Sequence, residues 1–286
     1  MLPIKERIEQ LFHRLSKSQQ KVAHIVLGNP SYISTHTAAE VGLMAGTSET
    51  TVIRFCYGIG LTGFAQLQKE VTKFLVEEPT ISTLGTYVSS KEELFEEQAL
   101  CEKVMRQAST RIVRIAERMD EVLFRKTTRA MHDAKRIYVA GAGASNIAAQ
   151  WLHFTLNMLR PNAELVVMET STLIRTLQEM AESDLVIIIS LHRYYNEPLQ
   201  LAEETAARGA TVIGITDSNI APLHQFTDMC FVLEQTELST IDLMPALVTF
   251  MNTLVVGMMS YDTDYYNGQQ VKYDDFQNSF IANRWR

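Results

Sequence analysis

The residues with the most evident chemistry lie mid-chain, in Gly141-Ala142-Gly143-Ala144-Ser145-Asn146. Arg136 to Ala140, just before them, is a short apolar, β-branched run, and Ser145 or Asn146 can cap a helix that follows. A strand, a turn of small residues and a helix together present free backbone N–H groups and the positive end of a helix dipole. That arrangement suits an anionic ligand. A second set lies nearer the amino terminus, in SETTVIRFCYGIG from Ser48 to Gly60. Ser48 is a good N-cap for a helix there, and Val52, Phe55 and Ile59 share one face of it. Thr50, Arg54 and Tyr57 then point the other way, with Thr51 beside them. Hydroxyls and a guanidinium fork on an exposed helix contact phosphates and base edges in a DNA major groove.

Helical spacing places the elements that position the second set. Apolar residues recur from Ile4 to Leu15, and Ser16 or Ser18 can cap a second helix through Leu27, which Gly28-Asn29-Pro30 stops. A short helix from Thr37 to Met44, a tight turn at Gly46-Thr47 and the Ser48 helix complete a helix-turn-helix pattern. Glu77 to Glu97 reads as a hinge. Amphipathic helices over Leu100 to Met119 and from a cap at Asp120 to about Ala134 then dock on the second domain or on a partner subunit.

The first set belongs to a region that alternates strand and helix. Leu165 to Met168, Leu185 to Ser190, Thr211 to Thr216 and Cys230 to Leu233 are short and nearly all apolar. Strands without polar alternation are buried on both faces, so a parallel sheet covered by helices is expected. Ligands in such sheets sit beyond the strand carboxyl ends at a topological switch point. Three loops meet there: Gly141 to Asn146, Glu169 to Thr172 with Thr170 and Ser171, and Ser190 to Glu197.

Composition narrows the classes. A hydrophobic share of 46% with 21% charged residues is ordinary for a soluble globular protein, and no apolar run approaches the ~18 residues of a membrane span. The start, MLPIKERIEQ, lacks the apolar core of a signal peptide, so a cytoplasmic location is expected. Cys56, Cys101 and Cys230 form no C-x-x-C pair and the histidines no H-E-x-x-H, so neither a metal site nor a disulfide framework is expected. The net charge of -7 is uneven, with basic residues outnumbering acids through Leu75. Only the amino-terminal part has the charge of a nucleic-acid binder. A dinucleotide fingerprint would need glycine where Asn146 stands and an acid closing the second strand, for which only Glu169 offers itself, so no cofactor is expected.

LSKSQQKVAHIVLGNP, the S-x-x-T-V-x-R-F helix and the G-x-x-G-F-x-x-L-Q segment at Gly60 to Gln68 resemble the amino-terminal domain of RpiR-type bacterial transcription regulators. That family's recognition helix usually ends in two basic residues after the cysteine. Tyr57 and Gly58 stand there in this chain, which implies fewer phosphate contacts. From about Leu123 to Ser260 the chain is similar to a sugar isomerase (SIS) domain, in which the first loop, here G-A-G-A-S, and the third-strand loop cradle a phosphosugar. In phosphosugar-binding members that third loop reads roughly S-x-S-G-x-(S/T)-x-(E/D). Ser190 and Glu197 match it, whereas His192, Arg193 and Tyr195 replace the second hydroxyl, the glycine and the Ser/Thr. Arg193 can pair bidentately with a carboxylate or phosphate, and His192 adds a pH-dependent donor. Alternatively Arg193 pairs with Glu197 or a partner's acid and no ligand binds.

The fold expected is therefore an all-α helix-turn-helix domain (1–76), a linker with docking helices (77–122), a doubly wound, flavodoxin-like, five-stranded parallel SIS-type domain (123–260) and an aromatic tail (261–286). The tail should pack across a subunit boundary or on its own domain. The expected effector set is Gly141, Gly143, Ala144, Ser145, Asn146, Thr170, Ser171, Ser190, His192, Arg193, Tyr195 and Glu197, with Ser48, Thr50, Thr51, Arg54 and Tyr57 for DNA. The expected partners are a double-stranded DNA operator, a small anionic metabolite and further copies of the chain, as a homodimer or homotetramer, without a membrane. SIS isomerases use a base near the sugar carbons, for which Glu234, Glu237 or Asp242 would serve. The favoured reading makes Glu234 and Glu237 solvated loop charges and Asp242 the cap of the last helix, so no catalytic residue is expected.

Overall fold

The computed structural model describes residues 4–28, 30–77, 83–96, 98–191, 194–219, 221–233 and 240–280. They form two units, Met1–Thr86 with Ser218–His224, and Tyr87–Asp217 with Gln225–Arg286.

The first unit is helical: α1 (Ile4–Leu11), α2 (Lys17–Gly28), α3 (Pro30–Thr35), α4 (Ala38–Met44), α5 (Glu49–Gly58) and α6 (Phe64–Glu77). Ser16 caps α2 reciprocally with Gln19: Ser16 N–H donates to Gln19 Oε1 at 2.9 Å, and Gln19 N–H donates to Ser16 Oγ at 3.4 Å. The second helix stops at Gly28 as expected, but the first tightens into a 3-10 turn at Phe12–Arg14, and Pro30 opens a further helix, α3, that was not expected. Proline suits a first helical turn, where its missing N–H has no intrahelical partner to lose. The core is a single cluster including Ile8, Val22, Ile33, Val41, Val52, Phe55, Ile59 and Leu67. Cys56 lies within it, and burial pushes its thiol up to about 12.

The stretch expected to be a hinge contains a helix, α7 (Thr83–Ser89), and a 3-10 turn at Glu92–Leu94. Beyond it run α8 (Leu100–Glu117) and α9 (Glu121–Asp133), the latter capped by Asp120 as expected. Cys101 on α8 is exposed. Lys91 Nζ meets Asp242 Oδ1 at 2.6 Å, and Arg111 donates to the Asp242 carbonyl. Asp242 was expected to cap the last helix of the sheet domain. That helix, α13 (Thr240–Met259), instead starts before it, so the carboxylate serves the enclosed ion pair.

The sheet has strands β1 (Ile137–Gly141), β2 (Ala163–Leu165), β3 (Leu185–Ile189), β4 (Thr211–Thr216) and β5 (Met229–Val232), in the order β2-β1-β3-β4-β5, all parallel. Helices α10 (Ala144–Leu159), α11 (Thr170–Glu179) and α12 (Asn196–Ala207) connect them. Every residue of β1 and β3 is buried. β2 was expected at Leu165–Met168 but ends at Leu165. It is an edge strand pairing only with Ile137–Val139, and after the Val166 N–H reaches Val139 O at 2.8 Å the chain leaves the sheet.

Helix α13 also corrects the expectation about apolar runs, because Ile241–Met259 has the length and mean hydropathy (1.6) of a membrane span. Its Leu243, Leu247, Phe250, Met251, Leu254 and Met258 belong to the sheet domain's core. The aromatic tail is helical over α14 (Thr263–Phe280), and its first part packs on its own domain. Tyr266 is buried there and its hydroxyl meets His132 Nδ1 at 3.0 Å.

At the end of β1 the first turn of α10 comes very close. A Cβ at Gly141 would stand 2.7 Å from the Ser145 carbonyl oxygen and 3.2 Å from the Asn146 nitrogen, both backbone atoms. Gly141→Ala should therefore destabilise the protein by about 1–3 kcal/mol. Denaturant unfolding measures this, and a variant as stable as the parent would mean that the turn relaxes freely.

Candidate functional site

In the helical unit, α4 begins with a capping box. Thr37 N–H and Oγ1 donate to Glu40 Oε2 at 2.7 and 2.8 Å, and Glu40 N–H donates to Thr37 Oγ1 at 3.3 Å. These bonds hold the Glu40 carboxyl below its usual range. Gly46 turns the chain with φ 57°, and Ser48 caps α5, accepting from Thr51 N–H at 3.3 Å. Gly42 lies where the two helices meet, since a Cβ there would be 2.9 Å from Glu49 N. Sequence reasoning missed Gly42, which stands inside a helix where its role is invisible without the neighbour.

Val52, Phe55, Cys56 and Ile59 are fully buried, which leaves Ser48, Thr50, Arg54 and Tyr57 exposed and Thr51 half-buried. The Gly60 to Gln68 segment is explained by architecture. Gly60 ends α5 with φ 79°, Leu67 enters the core, and the Gln68 carboxamide donates to the carbonyls of Ile33 (3.2 Å) and His36 (2.9 Å) at the end of α3.

In the sheet domain the strand order reverses between β1 and β3, whose carboxyl ends stand side by side with Gly141 paired to Ile189. This is the switch point where ligands of open parallel sheets bind. The glycine loop and the Ser190 loop leave from it. Neither Ser145 nor Asn146 caps α10: the cap position is Gly143, with φ 56°, a conformation glycine adopts without strain. Ser145 is buried, and its Oγ accepts from Leu191 N–H at 3.4 Å, tying the two loops together. Ser190 is also buried, its N–H bonded to Ile215 O at 2.9 Å. Ala144 is exposed and Asn146 half-buried.

Tyr195 covers the turn. A Cβ at Gly143 would lie 2.9 Å from Tyr195 Cε2 and 3.1 Å from its hydroxyl, so the ring rests directly on the glycine. The ring residue is 46% exposed. Its neighbour Tyr194 donates its hydroxyl to Asp217 Oδ1 at 2.9 Å. Glu197 is exposed in the first turn of α12. His192, Arg193, Glu234 and Glu237 lie outside the described residues. Among the described residues, no group of three or more His, Cys, Asp or Glu is placed to hold a metal ion.

The loop at α11 differs from expectation. Thr170 is exposed, and the Ser171 hydroxyl is already committed within the protein. Glu169 caps α11, accepting from Ser171 Oγ (2.6 Å) and N–H (3.0 Å) and from Thr172 Oγ1 (2.9 Å) and N–H (3.0 Å). The chain thus supplies its own anion to this helix start. The Ser171 hydroxyl first, then the amides and Thr172, hold the Glu169 carboxyl at about 2. Its folded value is below the ordinary 4.5, so its stabilisation is complete above about pH 4.5 and fades as the pH falls toward 2. Glu169→Gln should lower the melting temperature near neutral pH, with the gap to the parent narrowing below pH 4.5. A gap that does not change with pH would show that the carboxylate's charge is not what the cap uses.

The family model for the helix-turn-helix domain of the rpiR family matches residues 2–78, and that for the SIS domain matches residues 130–263. The HTH-type transcriptional regulator HexR of Pseudomonas aeruginosa is 24% identical over 229 residues, which cover 79% of this chain and 76% of HexR. Among solved structures, the Vibrio vulnificus NanR protein complexed with ManNAc-6P superposes with a TM-score of 0.60 at 18% identity, covering 98% of this chain and 99% of NanR. The sugar isomerase domain of an RpiR transcription factor from Sphaerobacter thermophilus gives 0.57 at 22% identity, covering 62% and 99%. At these identities the superpositions speak for the fold. With the two family models in this order along the chain, the protein belongs to the RpiR family of transcription regulators, with a helix-turn-helix domain followed by a SIS domain.

Proposed function

We propose that this regulator binds a double-stranded DNA operator through the exposed face of α5, and that its SIS domain takes a small anionic metabolite, of phosphosugar or sugar-acid type, that modulates operator binding. It works in the cytoplasm as a homodimer or homotetramer, because paired helix-turn-helix units read paired half-sites. The observation that carries the effector half is the β1–β3 switch point with the glycine turn and the Ser190 loop beside it. NanR, of the same fold, is complexed with ManNAc-6P, which supports a phosphosugar as the first ligand class to examine. Effector and operator would be coupled by ~1–3 kcal/mol if typical of such regulators.

The protein acts without catalysis and without a resident cofactor. Asp242, one of the acids considered as a base, is enclosed in its pair with Lys91, which supports this reading. A second reading, that the SIS domain is an unliganded assembly module, is favoured by one observation, the Tyr195 ring seated on the glycine turn.

Arg54→Ala should abolish sequence-specific operator binding and leave melting temperature and oligomeric state intact. An unchanged gel shift would mean that α5 does not read the DNA. A thermal-shift screen against phosphosugars, sugar acids and other small anions, with Arg193→Ala as control, tests the effector. A stabilisation lost in the variant is expected from binding linkage. Silence across the panel would favour the assembly module.

A further inference from the structure

We infer that Tyr195 determines the specificity of the proposed effector site: its ring bars a compact phosphate from the glycine turn and admits a ligand that presents an apolar face to the ring. The inference rests on the effector reading and deepens it. Gly143, at φ 56°, ends the turn without a side chain, which leaves its backbone open to close approach. That approach is taken by the chain itself, with Tyr195 Cε2 and hydroxyl at 2.9 and 3.1 Å from the position a Cβ would occupy.

The backbone that carries the ring is anchored on both sides in sequence. Tyr194 is bonded to Asp217, and α12 begins at Asn196 directly after Tyr195. The two serines beside the turn are withdrawn from solvent: Ser145 is buried, its Oγ accepting from the Leu191 amide, and Ser190 is buried. A phosphate dianion reaching the turn would have to displace the ring, whose edge and hydroxyl occupy that approach, and would lose hydration beside the ring carbons. A sugar-like ligand can instead lay its C–H face on the half-exposed ring and direct its anionic group elsewhere in the loop.

Two experiments test this. In the first, melting temperature is followed against inorganic phosphate at constant ionic strength, with chloride as the reference salt. The parent should show no phosphate-specific shift. Tyr195→Ser should show a saturable one, corresponding to at least about a tenfold gain in affinity, and Tyr195→Phe should behave as the parent. A parent that binds phosphate as well as Tyr195→Ser, or a Tyr195→Ser variant that gains nothing, overturns the inference.

The second experiment needs no ligand. Gly143→Ala should lower the melting temperature more in the parent than in Tyr195→Ser, because only the parent's ring lies in the path of the new methyl group. Equal losses would mean that the ring does not rest on the turn, which overturns the inference whatever the effector screen finds. An unequal loss together with a silent effector screen would instead locate the failure in the effector reading.

Discussion

Much of the sheet domain depends on how closely the first turn of α10 lies on the end of β1. The 2.7 Å between a notional Cβ at 141 and the Ser145 carbonyl admits glycine alone without a shift. That approach sets where α10 starts and brings the Ser145 hydroxyl under the Leu191 amide. With the Tyr195 ring on Gly143, this bond joins the β1 and β3 loops across the point where the strand order turns back.

Charged groups are handled in three ways, each dictated by local geometry. Lys91 and Asp242 neutralise one another in an enclosed pair, which suits conformational definition more than it adds net stability. Arg160 is buried and, among the described residues, is bonded to backbone carbonyls rather than to a carboxylate. It donates to the carbonyls of Met131 and Ala134 at the end of α9, where the helix dipole is negative, and burial pushes its pKa down. Glu169 does the converse at the start of α11. Helix termini thus take up charges that ion pairs would otherwise have to satisfy.

The sequence was legible where one periodicity dominated. Fully apolar strands such as LVIII identified the parallel sheet, and the Val52-Phe55-Ile59 seam identified the buried side of α5 and so its exposed side. It was less legible where a residue's role depends on a neighbour distant in sequence. Gly141 was read as a ligand-facing glycine, yet its backbone neighbour accounts for it. Asp242 has the type and place of a cap, yet its partner is Lys91, far back in the chain. Ser171 carried the right chemistry for a ligand, but the preceding carboxylate had already engaged it. Tyr195 stands where the family pattern has Ser or Thr, and only its resting place on Gly143 gives that exchange a direction.

The three cysteines differ in a way that bears on handling the protein. Cys56 is buried in the helical core and Cys230 is half-buried in the sheet domain, and burial raises both thiols to about 12, where thiolate chemistry near neutral pH is suppressed. Cys101 stands in the open on α8. A maleimide dye or spin label added under mild conditions would therefore attach first at Cys101, without removing any native residue. The unaltered chain carries its own reporter position, from which distances between copies could be read spectroscopically.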